Sequence, residues 1–206
     1  MRAGVKLFLA SSNAGKLGEF RALARTSAPG GADVLDARAE IELLPGFDSL
    51  PSFPEDAPTF AENAVGKALH YSRFAEGLVF ADDSGLVVPA LGGAPGGYSA
   101  RYAGANATSA GRIAKLLGEL RGRVDVERAA YFVCAIALAN RGRAIAIVTA
   151  RVHGEILESP RGGGGFGYDP VFYFPALKKT FAELLPQEKN QISHRGKAFR
   201  KLLTGL

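Results

Sequence analysis

Residues 81–86 read Ala81-Asp82-Asp83-Ser84-Gly85-Leu86 and follow the apolar run Leu78-Val79-Phe80, which places two adjacent carboxylates where a buried strand is expected to end in a turn. Taking a carboxylate out of water is costly without a partner, and two side by side do not both ionise easily unless a cation or strong donors lie close. A hard metal such as Mg²⁺, which takes oxygen ligands and commonly arrives with phosphate, is the most economical partner. The competing reading is an Asx-turn or helix cap, in which Asp and Ser serve only backbone hydrogen bonds. Basic residues suited to a polyphosphate stand elsewhere. Lys16 closes the stretch Ser11-Ser12-Asn13-Ala14-Gly15-Lys16 after a predicted first strand. A lysine in the first turn of a helix opposes the dipole, and an anion held by the N-terminal amides would remove the conflict. The stretch is not a Walker A loop, because Ala10 occupies the position of the first glycine and Leu17 follows the lysine. A kinase or GTPase reading loses its main support. Lys189, His194 and Arg195 repeat the same charge conflict before and at the start of the last helix.

The elements that must position these groups can be read from periodicity and caps. Val5 to Ala10 is a short apolar strand; Ser12 or Asn13 caps a helix whose Leu17, Phe20 and Ala24 recur at helical spacing. Prolines and acids between Pro45 and Pro58, among them Asp48, Glu55 and Asp56, predict an ordered non-helical loop. Thr59 and Glu62 form a capping box opening a helix through Phe60, Ala64, Lys67, Ala68 and Tyr71, so Glu62 is explained by structure. Thr108 caps a third helix with the core stripe Ile113, Leu116, Leu117 and Leu120. Tyr131 to Ala139 is apolar on both faces and predicts a central strand, joined through Asn140–Arg143 to an antiparallel partner over Ala144 to Val152. Ala198, Phe199, Leu202 and Leu203 mark a closing amphipathic helix. Glycines 162–165 allow close backbone approach to a ligand; Phe166 beside them either offers a ring face for a base or belongs to the core. Pro170 holds Asp169 extended. The pattern is α/β, a mixed sheet with helices on both sides in a single domain over 1–206.

Composition narrows the class. The chain has 206 residues, 47% hydrophobic and 22% charged, enough to bury a substantial core. Cys134 is the only cysteine and lies in an apolar stretch, which excludes an intramolecular disulfide and predicts a buried thiol. The apolar run Ala129–Ala139 is too short to span a bilayer, and the N-terminus, with Arg2, Lys6 and the polar Ser11-Ser12-Asn13, lacks the apolar core of a signal peptide. A cytoplasmic location and no membrane partner are expected. A net charge of +5 favours anionic partners without choosing between a triphosphate and a nucleic acid. Arg121-Gly122-Arg123 and Arg141-Gly142-Arg143 read as solvated turns, and no known RNA-binding module is present, so no nucleic-acid partner is expected.

Five blocks in order resemble the Ham1/inosine triphosphate pyrophosphatase family: Ser11 to Lys16, Phe60 to Ala68, Ala81 to Leu86 continuing into the glycine-dense Leu91–Gly104 loop, Gly165 to Pro170, and Lys189 to Gly196. The likeness runs from about Leu7 to Ala198, and the ADDSGL and SHRG segments are intact, as in the bacterial XTP/dITP diphosphatases. The resemblance implies the elongated ITPase-like fold, with two lobes around a cleft, and a homodimer. It implies hydrolysis of non-standard purine nucleoside triphosphates (ITP, dITP, XTP) to monophosphate and pyrophosphate, with Mg²⁺ as cofactor. By the same resemblance Ser11, Ser12, Asn13, Ala14, Gly15, Lys16 and Lys67 hold the phosphates, Ser84 is a further substrate-binding residue, and Phe166, Gly167, Tyr168, Asp169, Lys189, His194 and Arg195 frame the base. Glu55 and one of Asp82 and Asp83 are the expected metal ligands, and Asp83 the base that positions and deprotonates water. Arg195, a donor-only group, is expected to favour a 6-keto over a 6-amino purine. A Maf-like pyrophosphatase and a nucleotide-binding protein without turnover are the alternatives; the intact carboxylate pair argues against the second.

Overall fold

The computed structural model describes residues 5–25 and 39–206. Arg2 lies outside the described residues. The order of elements is β1 (Lys6–Leu9), α1 (Ala14–Arg25), β2 (Glu40–Leu43), α2 (Phe60–Tyr71), β3 (Leu78–Val87), α3 (Ser109–Glu119), β4 (Ala129–Asn140), β5 (Arg143–Ile156), β6 (Phe172–Phe174), β7 (Lys179–Thr180), α4 (Pro186–Ile192) and α5 (His194–Thr204). The strands form one mixed sheet in the order β2-β1-β3-β4-β5-β6-β7. β1 pairs in parallel with β2 and β3, whereas β6 pairs antiparallel with β5 and β7.

The chain divides into two compact units, with β3, β4 and β5 contributing residues to both. Unit 1 comprises residues 1–83, 135–150 and 195–206. Its core follows from the alternation of β3, whose successive side chains point to opposite faces. Phe80 packs edge-on against Phe20 of α1, with centroids 5.0 Å apart, and against Phe199 of α5. Val79 and Ala81, on the other face, join Ala64, Ala68 and Tyr71 of α2. Helices therefore cover both faces of the sheet here, as the α/β pattern predicts. The Thr59–Glu62 capping box opens α2: Glu62 N–H donates to Thr59 Oγ1 at 3.1 Å, and Thr59 N–H donates to the Glu62 carboxylate at 3.1 Å.

Unit 2 comprises residues 84–134 and 151–194. Ile113 and Leu116 of α3, with Leu120 just past its end, pack with Phe132, Phe172 and Phe181 around the unit's core. Thr108 caps α3 by accepting from Gly111 N–H at 3.1 Å.

Three expectations are corrected. Phe47–Ser49, inside the loop predicted to be non-helical, forms a 3-10 turn. Lys189 lies in the last turn of α4, where its positive charge agrees with the helix dipole, so the conflict expected for it does not arise. The predicted turn over Ala81–Leu86 does not form, because β3 runs without interruption from Leu78 to Val87. A charge ordinarily argues against a buried strand, but the backbone here is paired in the sheet interior and each carboxylate finds partners brought in by other elements. The sheet also contains β2, β6 and β7, and the short helix α4 follows, none of which periodicity singled out.

Candidate active site

Because β3 continues through them, Asp82 and Asp83 project from opposite faces of one strand. Asp82 shares the face of Phe80 and looks toward α1 and α5; Asp83 shares the face of Val79 and Ala81 and looks toward α2. Two adjacent acids thereby acquire separate environments.

Asp82 is fully buried. Its carboxylate lies 2.9 Å from Lys16 Nζ and 3.6 Å from Arg195 Nε. Arg195, only 3% exposed, also donates to Glu19, which sits one turn beyond Lys16 on the same face of α1. Burial alone would raise the Asp82 pKa, but Lys16, Arg195 and Lys67 outweigh it and hold the group well below the usual carboxylate range. The charge conflict foreseen for Lys16 is thus met by a carboxylate of the protein itself. Asn13 caps α1 through its Oδ1, which accepts from Lys16 N–H at 3.2 Å, and Ser11 Oγ accepts from Asn13 N–H at 3.1 Å. Ser12, Asn13 and Gly15 remain exposed at this helix start, with Ala14 as its first residue.

Asp83 is 9% exposed and accepts a 2.9 Å hydrogen bond from the Asn63 amide. Burial raises its pKa, opposed by the Asn63 hydrogen bond and by Lys67 and reinforced by Glu55. Lys67, itself buried, reaches Glu55 at 3.0 Å. Asp83, Asn63, Lys67 and Glu55 form one polar cluster on the α2 face of unit 1. Asn63 escaped sequence reasoning as a site residue although it lies in a block already singled out. Its signal is the spacing: Asn63 and Lys67 are four apart, hence on one face of α2.

A second cluster belongs to unit 2. Asp169, 2% exposed, accepts from Lys189 Nζ at 2.6 Å and from Phe166 N–H at 2.8 Å. Lys189 in turn stands over the Phe166 ring, 4.7 Å from its centroid. Phe166 is 42% exposed, so it is not a core residue. Gly165, at φ 68°, is required here, since a Cβ would overlap the Asp169 carboxylate. Gly167 also has positive φ. Gly162 and Gly164 do approach backbone closely, but the backbone is that of Ala182. Tyr168 is buried and its hydroxyl donates to Ser99 O at 2.9 Å; His194 stacks on Phe132 with centroids 4.7 Å apart. Ser84 lies half-buried in β3.

Unit 1 thus collects Lys16, Glu55, Lys67, Asp82, Asp83 and Arg195, and unit 2 collects Ser84, Phe166, Tyr168, Asp169, Lys189 and His194. Among the described residues, no group of three or more His, Cys, Asp or Glu side chains is arranged to hold a metal ion. Glu55 and Asp83 nevertheless supply oxygen donors whose mutual repulsion a cation would relieve.

The sequence profile of the Ham1 family matches residues 7–205. A dITP/XTP pyrophosphatase of Geobacillus kaustophilus is 52% identical over 197 residues, covering 96% of this chain and 92% of the relative. One of Coxiella burnetii is 44% identical and covers 98% of this chain and 96% of its own. The solved structure of a HAM1 protein from Coxiella burnetii superposes with a TM-score of 0.81 over 98% of both chains, at 44% identity. That of a nucleoside-triphosphatase (dITP/XTP pyrophosphatase) from Mycobacterium abscessus gives 0.71 at 35% identity, over 97% of this chain and 99% of that one. With the profile and the relatives agreeing over nearly its whole length, the chain belongs to the Ham1 family.

Proposed function

We propose that the protein hydrolyses dITP, ITP and XTP at the α-phosphorus, releasing the nucleoside monophosphate and pyrophosphate and so clearing these nucleotides before they enter DNA and RNA. The observation that carries this reading is the division of labour on β3: Asp82 is spent on cations, while Asp83 keeps a neutral partner and a raised pKa. A carboxylate in the second condition is suited to accept a proton, and one in the first is suited to hold Lys16 in place.

Asp83 orients and deprotonates a water, whose oxygen forms a bond to the α-phosphorus as the bond to the bridging oxygen of the pyrophosphate breaks. Positioning supplies much of the rate, because a carboxylate is a weak base near neutrality. Glu55 and Asp83 are the residues that would hold Mg²⁺, an ion that takes oxygen ligands. When bound, the ion supplies charge neutralisation on the triphosphate and the leaving group. Asp82 is assigned no metal, since Lys16 and Arg195 already engage it.

The phosphates are assigned to the Ser11–Lys16 helix start, to Lys67 and to Ser84, with Lys189 as a further positive group. The base is assigned to Phe166–Asp169, Lys189, His194 and Arg195. Lys189 and Arg195 are donor-only, so a 6-keto oxygen can be accepted where adenine would oppose donor with donor. Asp169 aims Lys189, and Glu19 with Asp82 aims Arg195. A homodimer is supported by Ile145 and Ile147, half-exposed on β5. No described helix is long and apolar enough to cross a membrane. The proposed role is on the nucleotide pool of the cytoplasm.

The test is a panel of nucleoside triphosphates with Mg²⁺, scoring pyrophosphate and orthophosphate separately. ITP and XTP should yield pyrophosphate and exceed ATP by orders of magnitude in kcat/KM, and EDTA should abolish turnover. Orthophosphate with a diphosphate product, or comparable kcat/KM for ATP and ITP, would overturn the assignment.

A further inference from the structure

We propose that Asn63 is a positioning residue for the catalytic base: its amide ties the Asp83 carboxylate to the loop that carries Glu55, and so sets the direction from which Asp83 accepts a proton. The proposal rests on the assignment of Asp83 as the base and adds to it a residue that acts through it.

The amide has only one possible orientation. Its Oδ1 accepts from Ala57 N–H at 2.9 Å, and a backbone N–H can only donate, so this contact must be made by the oxygen. The nitrogen is thereby turned toward Asp83, where Nδ2 donates to Oδ2 at 2.9 Å, and it approaches Ala57 O at 3.4 Å. Asn63 is 3% exposed, so neither half of the amide is traded for water at low cost.

Each contact constrains a different element. Ala57 lies two residues after Glu55 in the non-helical loop before α2; Asn63 is in the first turn of α2; Asp83 is in β3. One planar group therefore spans loop, helix and strand, and Lys67, one turn further along α2, reaches Glu55 from the same helix face. Holding Asp83 by Oδ2 fixes the orientation of the whole planar carboxylate, its other oxygen included. A base displaced by about 1 Å can lose about 10²-fold in rate, which is the scale of effect such a tether protects. A structural alternative is that Asn63 merely holds the loop through Ala57, in which case its effect would be independent of Asp83.

Asn63→Ala, Asp83→Asn and the double variant distinguish the two, assayed for kcat and KM on ITP with Mg²⁺ alongside thermal melting. Asn63→Ala should lower kcat about 10- to 100-fold with KM changed less than about threefold; in the Asp83→Asn background the same substitution should change kcat less than about threefold, because the group it positions is already gone. Asn63→Asp keeps the acceptor for Ala57 N–H but removes the donor, and should lose kcat as Asn63→Ala does. If Asn63→Ala does not fold, Asn63→Asp takes its place in the cycle. Wild-type kcat in Asn63→Asp, or losses that multiply in the double variant while Asp83→Asn alone is impaired, would overturn the role of Asn63 and leave the base assignment standing. Wild-type turnover in Asp83→Asn would overturn both.

Discussion

Replacing Asp82 by Asn tests whether its carboxylate is the electrostatic anchor of unit 1. The substitution preserves shape and removes one charge. At an effective dielectric of about 20, contacts at 2.9 Å to Lys16 and 3.6 Å to Arg195 are each worth about 5 kcal/mol before desolvation. Burying the carboxylate costs several kcal/mol in return, so the intact cluster is only modestly favourable. Removing one partner is different, because it leaves positive charge uncompensated at a buried position, typically a loss of about 3–5 kcal/mol. Two facts move the expectation to the lower end: the Lys16 side chain is 18% exposed and can turn toward water, and Arg195 retains Glu19. About 3 kcal/mol in a chain of this size corresponds to a melting temperature lowered by about 6–12 °C. The pH dependence gives a second reading of the same energy. The folded-state pKa of Asp82 is depressed, so its contribution is complete above the unfolded value of about 3.9 and is lost as pH falls below that value toward the folded one. Calorimetric melting at pH 7 should show the full gap between wild type and Asp82→Asn, and the gap should narrow as the buffer approaches pH 3. Equal melting temperatures at pH 7, or a gap unchanged at low pH, would refute the anchoring role.

Asp83→Asn should lower kcat by roughly 10² to 10⁴ while nucleotide binding, measured by calorimetric titration, is largely kept. In the metal-free protein the Asp83 carboxyl, followed by NMR, should titrate above its ordinary value because burial raises it, losing its charge as pH falls through that raised value, and the signal should be absent in Asp83→Asn. Gly165→Ala forces a side chain into a φ of 68° and against Asp169, at a cost of about 1–2 kcal/mol in the backbone alone; it should raise KM about tenfold and leave kcat within about threefold.

Local signals in the sequence were sufficient where the physics is local. The Thr59–Glu62 capping box, the Thr108 cap and the stripe through Ile113, Leu116 and Leu120 depend on contacts within one or two helical turns, and each is present in the fold. The apolar length of β4 likewise specified a strand covered on both faces, with Val133 through Ala139 all buried. The sequence also named most of the charged groups now gathered in the two clusters, though not Asn63, because charge beside apolar runs must be compensated somewhere. It could not say by what. β3 was expected to stop at Asp82 because a buried charge is intolerable in isolation, and only the tertiary structure supplies the partners: Lys16 and Arg195 from the two ends of the chain on one face, Asn63 from α2 on the other. The same arrangement gives the two aspartates different partners, cations for Asp82 and the Asn63 amide for Asp83, a difference their adjacency in the sequence does not show. α4 escaped for a related reason. Its Pro186–Ile192 segment has no apolar stripe, and what it buries are Lys189 and Asn190, polar side chains that burial can accommodate only when partners such as Asp169 have been brought to them by the fold.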